Sequence, residues 1–532
     1  MLIYCSNVSE FRVCALANLT HTVANENRVA PWASLIPFSP SRLVTWLLLL
    51  IGVVLRLRVY SNGRSLWFDE TLLALNIIHR STAGLFRPLD YYQGAPLGFL
   101  FLLKLATKIG GNGEFALRAI PLLAGLLSLF IFWRVAELNL SPRAVPLAVA
   151  LFALSPTLIH FSSEAKQYSS DVAITLLLLW AATKFVGSSL TTSSLFSLSL
   201  LGAAAIWFSH PATFILAAIA ATLLGSALLE RNRTLLWQVL SVAAIWSASF
   251  LLCYFVSLRL LASNQALLNY WRDSFPPHPL ASLRGFHWLA DAARKLFDEP
   301  AGLVDFLGLA LFVAGSLALI RRDRKLAGFL LIPIGITFLA SLLARYPFGG
   351  RLLLFLVPIL LMVIAEGVVW LSARFGRWSP ALEIALMIAL LFKPVSADIQ
   401  ELVHPNRGED IKLAIRYIQA HQLPGDVWFI YHLARYQYWY YDELYQLSPA
   451  TLRIGKDCGT DTACYTADLD QLRGNRRVWI LFSHIWIGDG IEEEDMSVQH
   501  LDSVGKRLDR FSAHGARAYL YDLSAAPPTP AH

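Results

Sequence analysis

The stretch RSLWFDETL, residues 64–72, sets two adjacent carboxylates, Asp69 and Glu70, beside Trp67 and Phe68, just past the first long apolar run of the chain. Acid groups near hydrocarbon are costly and are kept for a partner or a function. Neighbouring residues on a helix point about 100° apart, so this pair cannot flank one glycosidic bond as the two acids of a glycoside hydrolase do. One carboxylate is free to face a cleft as a general base while the other supports a backbone or a side chain. The plain structural alternative is that Asp69 caps a helix over 70–80. A divalent-metal site is a third option, but no other Asp, Glu or His cluster lies close in sequence to support it, and no cofactor is required.

Three further stretches carry groups of matching chemistry. SSEAKQYSSD (162–171) places Lys166 two residues from Tyr168; an ammonium and a phenol can hold a phosphate oxyanion, or simply anchor the chain in the headgroup zone. Glu164 in the same stretch can pair with Lys166 or with an Arg elsewhere. In YPFGGRLLLFLVP (346–358), Arg351 follows two glycines that let a ligand approach the backbone, and Arg binds phosphate bidentately. The alternative there is an Arg snorkelling at a membrane boundary. His210, in WFSHPATF, is a turn residue with an assisting role at most. Together these give one potential base beside cations and aromatics, which suits a lipid phosphate and an acceptor hydroxyl or amine.

The elements that must bring them together are membrane helices. Of 532 residues, 56% are hydrophobic and 15% charged, which excludes an ordinary soluble domain and fits a polytopic membrane protein. The net charge of +7 comes from basic residues scattered in short loops, not from a nucleic-acid-binding patch. The five cysteines have no zinc-type spacing. About eleven apolar stretches are long enough to span: 42–58, 118–136, 144–161, 171–187, 194–209, 212–229, 234–256, 301–320, 326–343, 352–371 and 380–397. One set of loops holds Arg134, Arg143, Arg231, Arg233, Arg321, Arg322, Arg324, Lys325, Arg374 and Arg377; the other holds only Lys166, Arg345 and Arg351. The basic set is expected in the cytoplasm. That puts the leader 1–40 inside and the chain after 397 outside, with all the candidate residues on the external side. The stretch 95–110 is laid in the interface, Lys104 and Lys108 on its polar side.

Residues 41–397 thus form the membrane domain, with external loops 59–117 and 257–300. The second loop, rich in aromatics, is expected to cover the site or meet the acceptor. Residues 398–532 read as a small extracytoplasmic α/β domain. Ile411, Ile415 and Ile418 share one helical face; 427–431, 478–483 and 518–523 read as strands, with a helix over 498–511. Cys458 and Cys464 are placed to form a disulfide in an oxidising compartment. The aromatic run 431–441 packs this domain against the membrane part or stacks on sugar.

Ordered along the chain, Arg58, Arg64, Ser65 and WFDE (67–70), then QGAPLGFL (93–100), then Glu114, Arg118 and Ala119, then FSSEAKQYSSD, then YPFGGR resemble the C-type (GT-C fold) membrane glycosyltransferases, relatives of protein O-mannosyltransferases and lipid A aminoarabinose transferases. The resemblance covers roughly 42–397. It implies transfer of a sugar from a polyprenyl-phosphate donor to a glycan, lipid or protein acceptor at the outer face of a bacterial inner membrane. Asp69 is then the catalytic base with Glu70 beside it. Lys166, Tyr168, Arg351 and Arg58 would serve the donor phosphate, with Glu164, His210, Gln93 and Arg118 in support. One departure stands out: where the aminoarabinose transferases carry a Lys before Pro96, this chain has Ala95. Arg56, Arg58 or Lys104 would have to supply that phosphate contact. The competing readings are a lipid-linked-sugar transporter or flippase and a non-catalytic envelope assembly protein. A transport site would be expected at the bilayer midplane, whereas the polar groups here gather at one face.

Overall fold

The computed structural model describes residues 40–183, 191–262, 264–405, 408–447, 449, 451–485, 487–488 and 491–524. The chain divides into two units, Met1–Val44 and Thr45–His532. The leader expected over 1–40, with Cys5 and Cys14, lies outside the described residues apart from Pro40.

Among the described residues, the apolar stretches expected to span are mostly helical. α1 (Pro40–Ser61) is followed by α2 (Phe68–His79), α3 (Leu97–Gly110) and α4 (Glu114–Asn139). The stretch expected as one span over 144–161 is two helices, α5 (Ala144–Ala153) and α6 (Pro156–Phe161). Pro156 pushes the residue before it out of the helical region; Ser155 turns extended and its hydroxyl caps Leu158 N. Then come α7 (Tyr168–Thr183), α8 (Thr192–Phe208), α9 (Ala212–Leu229) and α10 (Arg233–Cys253). The loop 257–300 contains α11 (Arg259–Ala262), α12 (Gln265–Tyr270) and α13 (Leu283–Asp298). α14 (Asp305–Arg322), α15 (Arg324–Leu342), α16 (Val357–Ser372) and α17 (Ser379–Val403) complete the bundle.

Six described segments are long and apolar enough to cross a membrane: Arg42–Ser61, Glu114–Asn139, Ala212–Leu229, Arg233–Leu258, Arg324–Leu342 and Gly350–Val403. The last contains α16 and α17, separated by non-helical Phe375 and Gly376. α5, α7 and α8 are shorter apolar helices. α3 is about 21 Å long at 1.5 Å per residue, short of a ~30 Å hydrocarbon core. Apolar side chains such as Leu50, Val54, Leu123 and Leu127 are exposed on helix surfaces, as suits a solvent of lipid tails.

α16 is the axis of the bundle, buried along nearly its whole length. It lies against α14 so closely that a Cβ on Gly315 would run into the Val363 carbonyl, and one on Gly367 into the Leu311 carbonyl. Small residues permit that backbone approach. At one end, Glu366 joins α16 to the end of α14 through Arg322 and to the end of α4 through Ser141 N (3.0 Å). Arg118 and Glu114 stand at the other end of α4, about 38 Å away by its 26 residues. Asp69, Glu70, Lys166 and Arg351 connect to that second end through the Glu70–Arg118 pair.

The described residues from 408 onward form the α/β domain, Asp410 N already bonding His514 O in the turn between its last two strands. Its main sheet has the order β2-β1-β3-β7-β6, from β1 (Val427–Ile430), β2 (Thr451–Ile454), β3 (Val478–Ser483), β6 (Lys506–Ala513) and β7 (Ala516–Asp522); β4 (Ile487–Gly488) pairs with β5 (Ile491–Glu492). β1 is parallel to β2 and β3, and β7 is antiparallel to β3 and β6. α18 (Ile411–His421), α19 (Arg435–Tyr445), α20 (Thr462–Asp470) and α21 (Glu493–Val504) cover it. Ile411, Ile415 and Ile418 are buried, as their spacing requires. The helix expected over 498–511 is half wrong. Gly505, fully extended at φ −156°, ends α21, and KRLDRFSA alternates exposed and half-buried as strand β6. The Cys458–Cys464 disulfide is formed.

Candidate active site

α2 begins where Trp67 is extended, at φ −77° and ψ 168°. Asp69 does not cap it; Glu70 reaches back to Trp67 N instead, at 3.4 Å. Two acids in the first turn also suit the positive end of the helix dipole. The far end of α2 is closed by Lys104, whose Nζ donates to Ile77 O (2.6 Å) and Ile78 O (3.1 Å).

The two carboxylates point apart, as helix geometry demands. Glu70 is fully buried and takes two hydrogen bonds from Arg118, Nε to Oε1 at 2.8 Å and Nη2 to Oε2 at 2.6 Å. Its Oε1 also accepts from Ala165 N at 2.7 Å. Burial works against its charge, but Arg118 outweighs burial and holds the carboxyl below its usual range. Glu70 therefore ties α2 to α4 and to the loop that carries Lys166.

Asp69 faces the other way, into a cluster of cations. Lys166 Nζ lies 2.9 Å from Oδ1 and Arg351 Nη2 lies 2.8 Å from Oδ2. Gln93 bridges the pair: its Nε2 donates to Asp69 Oδ1 (3.2 Å) and its Oε1 accepts from Lys166 Nζ (2.6 Å). Burial raises the cost of the Asp69 charge, yet Lys166 and then Arg351 overcome it, and the carboxyl stays below the ordinary carboxylate range.

Each cluster member is aimed by local strain or tight packing. Gln93 follows Tyr91 and Tyr92, both at positive φ (62° and 55°), conformations that cost energy outside glycine and concentrate at functional sites. Lys166 sits in a tight turn closed by its own N–H to Glu164 O at 2.7 Å. Gly350 at φ +52° delivers Arg351 into a short 3-10 turn. The Arg351 guanidinium then lies over three rings, Trp67 (5.4 Å), Tyr168 (5.6 Å) and Trp271 (5.8 Å), which hold a cation by its faces. Tyr168 thus offers its ring to Arg351. Trp271 comes from the loop 257–300, which is pinned here by Phe348 N to Ser274 O at 2.9 Å.

A cavity of about 430 Å³ adjoins Arg351 and is walled by Trp67, Glu164, Tyr270, Trp271 and Glu409 among others. A second, of about 410 Å³, lies between α3, α4, α7 and α8 and is lined almost wholly by apolar side chains such as Phe99, Leu123, Leu127, Ile174 and Phe208.

Other expected residues stand elsewhere. Arg58, three residues short of the end of α1, is exposed and bonded to Asn62 just past that helix, not to the cluster. Arg56 is buried, donating to Gly52 O (3.0 Å) and Ala153 O (3.1 Å). Lys104, on α3, is engaged with the end of α2; the cations in contact with Asp69 are Lys166 and Arg351. Glu164 pairs with His160 (3.1 Å) rather than with Lys166. His210 sits in the turn between α8 and α9, where burial pushes its imidazole down to about 4; it makes no contact with Asp69. Trp67, which the sequence sets beside the acid pair, and Trp271, in the aromatic loop, carry a role that the sequence did not assign: both rings face the Arg351 guanidinium. Aromatic residues are common throughout this chain, and nothing in their spacing marks these two. Among the described residues no group of three or more His, Cys, Asp or Glu is placed to hold a metal ion.

Residues 94–254 match the family described as dolichyl-phosphate-mannose-protein mannosyltransferase. That segment includes Gln93's neighbour Gly94, Lys166 and Tyr168, while Asp69 and Arg351 lie outside it. No curated protein matches the chain. Among solved structures, the chain is similar to ArnT from Cupriavidus metallidurans in the apo state, at 12% identity, 92% coverage of this chain and 100% of that one, with a TM-score of 0.53. The same protein bound to undecaprenyl phosphate matches at 13% identity, equal coverage and TM-score 0.53. An oligosaccharyltransferase from Archaeoglobus fulgidus, tethered with an acceptor peptide, matches at 12% identity over 91% of this chain and 74% of that one, with a TM-score of 0.50. At such identities the likeness is one of fold, and the fold is that of the C-type glycosyltransferases.

Proposed function

We propose that this chain, a C-type membrane glycosyltransferase by fold, transfers a sugar from a polyprenyl-phosphate donor to an acceptor at the outer face of the membrane, with Asp69 as general base. The observation that carries the reading is the meeting of Asp69 with Lys166 and Arg351. A base and two cations in one mostly buried cluster are what such a displacement needs.

The donor phosphate takes hydrogen bonds from Arg351 and Lys166, which releases a carboxylate oxygen of Asp69. The acceptor O–H or N–H gives its proton to that oxygen as its heteroatom bonds to the anomeric carbon. The bond from that carbon to the phosphate oxygen breaks, and the electron pair leaves with polyprenyl phosphate. The leaving group needs no second acid, because the fixed cations stabilise its growing charge in a largely buried site. Attack from the opposite side inverts the anomeric centre. The apolar cavity between α3, α4, α7 and α8 suits the lipid tail. Glu70, Arg118 and Gln93 position; Glu164 helps to shape the cavity.

Purified protein incubated with a radiolabelled polyprenyl-phosphate sugar tests this. Label appearing on an acceptor, or slowly released as free sugar, supports it. Unchanged donor accumulating in the opposite leaflet of a vesicle would make the chain a transporter instead.

A further inference from the structure

The residues just before Asp69 are held by a segment more than 340 positions away. Phe68 N, at the first turn of α2, donates to Glu409 Oε2 at 2.9 Å. The first N–H groups of a helix have no partner within it, and a carboxylate there is favoured by the helix dipole. Both Glu409 oxygens are engaged. Gln437 Nε2 donates to Oε2 at 2.8 Å and to Leu66 O at 3.0 Å, while His484 Nδ1 meets Oε1. The His484 ring stacks flat on the Phe68 ring, centroids 4.0 Å apart and planes 4° from parallel. His484 follows β3 at a positive φ of 51°, a strained conformation for a non-glycine residue. Ser65 and Leu66 are gripped from the same domain, Ser65 Oγ by Asp410 at 2.8 Å and Leu66 N by Tyr441 OH at 3.0 Å.

We propose that Glu409, supported by His484 and Gln437, is a positioning residue for Asp69: it fixes the first turn of α2 so that the carboxylate next to Phe68 meets Lys166 and Arg351. The α/β domain then completes the active site. This rests on the function proposed above. Because Glu409 also borders the cavity beside Arg351, contact with substrate is the alternative that the test must separate.

The test uses full-length protein carrying Glu409→Ala or Glu409→Gln, with two readouts. The first is backbone amide exchange at Phe68, measured without substrate. Glu409→Ala is expected to speed it by about tenfold, and Glu409→Gln, which keeps an acceptor oxygen, to restore most of the protection. The second is transfer kinetics. A carboxylate misplaced by about 1 Å costs up to ~10²-fold, so Glu409→Ala should lower kcat by roughly 10- to 100-fold and leave the donor KM within about twofold. A raised donor KM with kcat unchanged would overturn the proposal, because Glu409 would then be binding substrate. Unchanged exchange at Phe68 would also overturn it. If Glu409→Ala does not fold, His484→Phe keeps the stacked ring and removes only the Nδ1 contact; faster exchange at Phe68 with a several-fold lower kcat is expected, and no change in either contradicts the proposal. Should the wild-type protein transfer no sugar, the functional reading fails, while exchange at Phe68 still decides the positioning.

Discussion

Arg118 holds both oxygens of Glu70, at 2.8 and 2.6 Å, with neither side chain exposed to more than a trace of solvent. The pair also fixes the loop before α7, because Glu70 takes Ala165 N, one residue from Lys166. Asp69 and its first cation are therefore set relative to each other through Glu70.

Breaking that pair should cost stability more than chemistry. Removing one partner of a buried ion pair leaves a stranded charge, at about 3–5 kcal/mol. Glu70→Gln is expected to lower the thermal midpoint of the purified protein well below that of Asp69→Asn, and Arg118→Met to do the same. The double variant should lose less than the sum of the two single losses. Additive losses would mean that the pair contributes nothing as a pair.

Donor affinity should depend on Arg351 and Lys166 and not on Arg58. A hydrogen bond to a charged group contributes about 1.5–3 kcal/mol, so Arg351→Met or Lys166→Met should weaken binding of polyprenyl phosphate by roughly 10- to 100-fold. Arg58→Ala, on an exposed face and bonded only to Asn62, should bind as the wild type does. Titration of the purified variants with the lipid phosphate measures all three.

The acid limb of the rate profile should move in a stated direction. Burial penalises the Asp69 charge, but Lys166 and Arg351 hold the carboxyl below the usual range, so it stays ionised to lower pH than an ordinary Asp near ~4. The folding stability that this shift supplies is present above that ordinary value and is lost as pH falls through the depressed one. The acid limb of kcat/KM, which reports the free enzyme, should shift upward in Lys166→Met. In the wild type the limb of kcat should lie above that of kcat/KM, since a bound phosphate draws the cations away from Asp69. A Lys166→Met profile superimposed on the wild type would argue against Asp69 as the titrating base.

The sequence made much of this legible where a single physical rule governs. Adjacent residues on a helix diverge, so the split between Asp69 and Glu70 could be read before any coordinates. Loop charge placed Lys166, Arg351 and the acid pair on one side, and Asp69 of that pair contacts both cations. What resisted reading was anything set by distant packing. Arg58 and Arg351 look alike beside apolar runs, yet only one is turned into the cluster, by a glycine at φ +52°. Trp67 and Trp271 become a cation-binding box only when loop 257–300 folds back. The strand over 506–513 hid behind an amphipathic pattern that fits helix and strand alike until Gly505 separates them.

The central claim is that Asp69 is the proton acceptor in sugar transfer, and Asp69→Asn in purified protein tests it most directly. General bases contribute about 10²–10⁴-fold, so the variant should fold, bind the polyprenyl-phosphate sugar at least as well as the wild type, and transfer it slower by that factor. An Asp69→Asn protein that moved sugar to acceptor at the wild-type rate would contradict the account.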